Sequence, residues 1–223
     1  PPVGPDHPSD VVRAARFLAL GRANRLHAAD VRAGLADDSQ RVRLCTLRLA
    51  AAHRSTLDDA VRGDLRDALT GDDHLVAEAA AAALGESGGD VVSGGDDRAE
   101  GPDPETVRAL STAVLEHPDK LVREAAVAAL GSLGDPAGLD AVLAANDDVA
   151  TVRRRAVLAL AAFDGPEVER RLGAALDDRG QRPHPEARRP TLVGRVDPTG
   201  VDGVDRPREA LAEVVVPHRS AGW

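Results

Sequence analysis

Aromatic side chains are nearly missing from this chain of 223 residues, which has two Phe, one Trp and no Tyr. Methionine is absent as well. Pockets for flat cofactors are lined with such residues, so the composition argues against one. A single cysteine, Cys45, excludes an intramolecular disulfide. It falls at an apolar helix position and reads as a small core residue, not a reactive thiol. No run approaches the ~20 apolar residues that span a bilayer, so no membrane segment is expected and the expected compartment is the cytoplasm. The sequence opens on Pro1 without a signal-peptide pattern and contains no Met, which points to a fragment or a processed chain. Basic charge is in deficit too. Lys and Arg number 28 against 37 Asp and Glu, a formal net charge of −9. Phosphate binding needs a local basic excess, so nucleic acid is not an expected partner.

What is present is aliphatic and small. Ala, Val and Leu make up most of a 43% hydrophobic share, enough to bury a core and suited to close helix packing. They recur in one short phrase, Val-Arg preceded by a turn aspartate. Its valines stand at Val12, Val42, Val76, Val122 and Val152, so the steps are 30, 34, 46 and 30 residues. A period in that range is the mark of a repeat solenoid.

With each valine as position zero, apolar or small residues fill +3 or +4, +7 and +8. These positions share one face of a helix. Position +9 is glycine in three copies, Gly21, Gly85 and Gly131, which reads as a helix stop. A second amphipathic segment precedes each of the later phrases, for example Leu57, Val61, Leu65 and Leu69. Between the two segments comes an acidic turn, such as Asp37-Asp38 or Asp72-Asp73, placed to cap the second helix. Pro104, Pro136 and Pro166 suit first-turn positions. The expected fold is therefore all-α, an α-solenoid of stacked antiparallel helix pairs over residues 1–176. Residues 86–102, rich in Gly and acid, read as an inserted loop. Residues 177–223 read as an irregular Pro/Gly-rich tail, with a short strand at Thr191–Val196 and a short helix at Arg208–Val214.

The phrase D-x-x-x-V-R-x-x-A-x-x-A-L-G, best seen in Lys120–Gly134 (KLVREAAVAALGSLG), resembles the second helix of HEAT repeats. The likeness is to the short bacterial form grouped with the bilin-lyase type, and it covers about residues 10–176. It implies an interaction scaffold, with the second helices lining a concave face and an Asp–Arg ladder tying adjacent units. It also implies an alternative, an accessory protein of lyase type that attaches a cofactor. Enzymes of similar fold use His-Glu pairs for iron, and this chain has no His-Glu dipeptide. No catalytic grouping, metal ligand set or cofactor is expected.

The arginine at +1, as Arg13, Arg43, Arg123 and Arg153, lies between the apolar positions +8 and +5. That places it in the seam between helices. Its expected partners are the turn acids Asp38, Asp72 and Asp148, as a structural ladder rather than a binding stripe. Opposite the core lie +2 and +6. Leu44, Arg48, Glu78, Glu124, Arg154 and Leu158 stand there and are the candidate contacts for a protein or peptide partner. Arg153-Arg154-Arg155 is the one basic cluster that could favour nucleic acid, and no aromatics interleave it.

Overall fold

The computed structural model describes residues 6–86 and 101–181. The chain divides into two units, Pro1–Arg182 and Pro183–Trp223, of which the second lies outside the described residues. So do most of the 86–102 insert and the strand and helix expected at Thr191–Val196 and Arg208–Val214. The first unit is all-α among the described residues. Its helices are α1 (Asp10–Arg22), α2 (Ala28–Leu35), α3 (Gln40–Ala52), α4 (Asp59–Leu69) and α5 (His74–Gly85). They continue as α6 (Pro104–Glu116), α7 (Lys120–Leu133), α8 (Leu139–Ala144), α9 (Ala150–Ala159) and α10 (Pro166–Gln181). Helix α10 passes the boundary expected at 176. It reaches Gln181, the last described residue, so Asp177 does not open a new turn.

Each repeat phrase is one odd-numbered helix. These second helices pack one on the next as α1, α3, α5, α7 and α9. The first helices α2, α4, α6 and α8 form a parallel row behind them, each also packed on its own partner. This two-row stack is an α-solenoid. The anchor valines Val42, Val122 and Val152 are fully buried, as are Leu84 and Leu160 at +8. Val12 is only half-buried, because no described helix precedes α1 to cover it. Position +5 also belongs to the core, as Phe17, Leu47, Ala81 and Val127.

The acidic turns act as expected at two of the second helices. The Asp73 carboxylate accepts the Val76 N–H at 3.3 Å, and Asp119 accepts that of Leu121 at 2.7 Å. Asp58 and Asp103 cap the first helices α4 and α6 in the same way. Such caps contribute roughly 1 kcal/mol each.

Of the +9 glycines, Gly85 is the last residue of α5, as the sequence suggests, and all three have a further reason. Gly21 and Gly131 lie inside α1 and α7, so neither ends its helix. The true stop of α7 is Gly134, in the left-handed region at φ 62°. The +9 glycines let the next second helix come close. A Cβ on Gly85 would stand 2.7 Å from Ala129 Cα, and one on Gly131 would stand 2.8 Å from Ala159 Cβ and 2.9 Å from its Cα. Alanine at +7 of the following helix completes the approach.

Gly85→Ala and Gly131→Ala should each push two repeats apart and destabilise by ~1–3 kcal/mol, read as a lower urea midpoint. Gly173→Ala on α10 is the control, since its Cβ would meet nothing within 4 Å. It should hold stability or raise it by up to ~1 kcal/mol. Equal losses at all three positions would reject the close-approach explanation.

Candidate interaction face

Two side-chain arrays run along the stack, one at the turn edge and one on the open face of the second helices. The +1 arginines make the first. Arg13 donates through Nε and Nη2 to the two oxygens of Asp37, both at 2.8 Å. Arg123 does the same to Asp148 at 2.6 and 2.9 Å. Arg43 reaches Asp73 through Nη2 at 3.0 Å. In each case Nη1 turns the other way and donates to two carbonyls of the preceding turn. These are His7 and Pro8 for Arg13, Asp37 and Asp38 for Arg43, and His117 and Pro118 for Arg123. One guanidinium thus joins the start of its own helix, the unsatisfied carbonyls of the preceding turn and the next repeat.

The acids differ by one residue from those expected at two rungs. Asp38 is exposed and contributes only its carbonyl to Arg43, and Asp72 is exposed as well. Asp37 and Asp73 close those rungs. The physical selector is the helix start. Each rung acid also accepts a backbone N–H there, Asp37 from Ser39, Asp73 from Val76 and Asp148 from Val149. That second bond aims the carboxylate back at the previous repeat. Arg153 donates to its own turn carbonyl at Asp148, 2.9 Å away. Between α5 and α7 the rung is missing, because Ala77 stands where the arginine would be.

Hydrogen bonding from Arg13 holds the Asp37 carboxyl below its ordinary range, and Arg123 does the same for Asp148. Burial opposes both shifts and is outweighed.

The second array is the face of the second helices turned away from the first-helix row. Arg48 and Arg154 are exposed there and make no ion pair among the described residues. Leu44 and Glu78 are half-buried. Leu158 is 55% exposed. Glu124 is committed to Arg155, at 3.3 Å across the α7–α9 junction. Arg153–Arg155 is therefore not a free basic cluster, since two of its three members have partners within the stack. The structure adds apolar residues that the +2 and +6 positions missed. Val11, Leu75 and Leu121, all at −1, are 56%, 39% and 42% exposed. Position −1 adjoins +6 on a helical wheel, which is the signal that could have found them.

Two grooves cross this face. One of about 620 Å³ lies between α1 and α3, lined by Val11, Leu18, Leu44, Cys45 and Leu49, with Arg41 and Arg48 as its charged groups. Another of about 410 Å³ lies between α7 and α9, lined by Ala128, Gly131, Leu158 and Arg155. Cys45 is half-buried at the edge of the core, with Sγ 3.7 Å from the Ala14 carbonyl. Burial pushes its thiol up, against the opposing charge of Arg48, so it is not an activated thiolate. Among the described residues no three His, Cys, Asp or Glu side chains gather to hold a metal ion. No described helix is long and apolar enough to cross a membrane.

The rung gives a pH dependence with a definite sign. A carboxyl held low in the folded state stabilises it at pH above the ordinary value of about 4, and that contribution fades as pH falls through the lowered one. Arg123→Met should cost about 2 kcal/mol at neutral pH, measured by urea denaturation. It should also flatten the loss of stability on acidification below about pH 4. A variant with unchanged acid sensitivity would show that the Arg123–Asp148 rung does not set it.

A family model described as HEAT repeats matches residues 97–161, and one described as PBS lyase HEAT-like repeat matches residues 152–178. No curated protein matches the chain. The matched span takes in α6 to α9 and most of α10, and α1 to α5 repeat its helix pairs, its Val-Arg phrase and its close approaches. Residues 97–178 are thus similar to HEAT repeats, their C-terminal part to the bilin-lyase-like type, and the helix pairs α1 to α5 continue the same solenoid.

Proposed function

We propose that this protein is a non-catalytic scaffold that holds a protein or peptide partner on the open face of its second helices. The observation that carries the reading is the exposed apolar stripe Val11, Leu18, Leu75, Leu121 and Leu158. One or two such residues stand on four of the five helices, with Arg48, Glu78 and Arg154 between them. Apolar side chains next to isolated charges of both signs suit a protein surface. A phosphate backbone would call for a continuous basic track. The polar turn edge is less suited to the task, because Arg13, Arg43 and Arg123 and their partner acids are already committed to rungs.

A second reading, cofactor attachment, has the PBS lyase HEAT-like match at 152–178 in its favour. That match is to a repeat unit, and the α7–α9 groove within its reach is lined mainly by alanine and glycine. Its one hydroxyl, Ser132, has no histidine or acid beside it in that lining, so the scaffold reading stands first.

Leu75→Asp, Leu121→Asp and Leu158→Asp combined should abolish capture of the partner from source-cell extract. Each side chain is substantially exposed, so the melting temperature should stay within a few degrees. Arg108→Glu, at an exposed site on α6 in the opposite row, should leave capture intact. Retained binding by the triple variant would refute this face as the binding surface.

A further inference from the structure

The open face of the second helices is not uniform along the stack, and its α1–α3 end has a chemistry of its own. We infer that this groove seats an acidic amphipathic helix of the partner. The inference rests on the scaffold reading above and names the chemistry of what that face holds. The groove is lined by aliphatic side chains, and its only charged lining residues are Arg41 and Arg48. In a chain of net charge −9, an apolar groove whose charged groups are all cationic is a local reversal of sign. Arg41 already shares Asp10 at 3.2 Å in an exposed pair. Arg48 has no ion pair among the described residues, so it is the cation available to a partner carboxylate.

The shape points to a helix rather than an extended strand. The lining runs from Val11 to Leu18 on α1 and from Gln40 to Leu49 on α3, two turns of each. At 1.5 Å per residue that is about 10–13 Å of groove. Both walls are helices, whose backbone hydrogen bonds are already made within them. An extended peptide laid there would leave its own N–H and C=O groups unpaired against aliphatic walls. A partner helix satisfies its own backbone and needs to present only apolar side chains at i and i+3 or i+4. A Glu or Asp one turn away would then meet Arg48, an exposed guanidinium suited to paired hydrogen bonds with a carboxylate. The groove volume of about 620 Å³ accommodates two or three aliphatic or aromatic side chains.

The test uses peptides selected on the intact chain from a random 12-residue display library, then synthesised and measured by fluorescence anisotropy. Selected peptides should carry Leu, Ile, Val or Phe at helical spacing with Asp or Glu beside them, and should gain helicity on binding. Arg48→Glu should weaken them at least tenfold, and Arg48→Lys should retain much of the affinity. Acidic peptides indifferent to Arg48→Glu but lost with Leu158→Asp would overturn this inference and leave the scaffold reading intact. Recovery of basic or uncharged peptides on this face would do the same. Peptides insensitive to Arg48→Glu and to the leucine substitutions would overturn both. Two other occupants are also distinguishable. Dodecanoate binding that is lost in Arg48→Glu, with no peptide recovered, would assign the groove to a small amphiphile and reject the helix. Self-association lost in the same variant would assign it to a second copy, with the same consequence.

Discussion

The stack depends on how closely one second helix can approach the next. At Gly85 and Gly131 there is no space for even a Cβ, because Ala129 and Ala159 of the following helix already stand within 3 Å of where it would be. Close packing of small residues brings many weak dispersion contacts into range. In this register Gly85 stands opposite Ala129 and Gly131 opposite Ala159. The first helices touch from repeat to repeat less extensively than the second helices do.

The arginine rung works on top of that packing. Apolar contact is nearly indifferent to small rotations, whereas a guanidinium that engages two carboxylate oxygens and two carbonyls permits very few. Rungs stand at α1–α3, α3–α5 and α7–α9. At α5–α7 the arginine is replaced by Ala77, fully buried, in a helix that is almost all alanine through its middle. The junction without a rung is also one where the glycine approach is closest, with Ala129 Cα 2.7 Å from the missing Cβ. Between α5 and α7 themselves surface fit takes over, while in the first-helix row Arg66 of α4 pairs with Asp103 and Glu105 at the start of α6.

Much of this was legible in the sequence, for a simple reason. A repeat writes each structural duty several times, so chance resemblances at one copy are exposed by the others. The valine anchor, the paired helices and the separation of core from outward positions all follow from spacing. Three features did not. Gly21, Gly85 and Gly131 look like helix stops because the residue after a final leucine so often is one, and only the neighbouring helix reveals another purpose. Asp37 and Asp73 could not be told from Asp38 and Asp72, since adjacent turn acids differ only in which one also takes a helix N–H. Val11, Leu75 and Leu121 were missed because −1 precedes the anchor and lies outside the phrase that defined the repeat.

Charge shows most clearly why function must be read from faces and not from totals. The net charge of −9 describes the whole chain. Many of its acids are at work at helix starts, where Asp37, Asp73, Asp119 and Asp148 on the turn edge and Asp58 and Asp103 at the first helices accept helix N–H groups or arginine donors. Their negative charge is locally spent on the positive ends of helices and on the rungs. The open face of the second helices has a sign of its own, set helix by helix by residues outside the core. It is cationic at α3 and α9, through Arg48 and Arg154, and anionic at α5 through Glu78. Core positions in a solenoid must serve two neighbours at once and cannot vary freely. Most outward positions carry less of that duty, so they are where this chain can differ from any other stack of the same repeats.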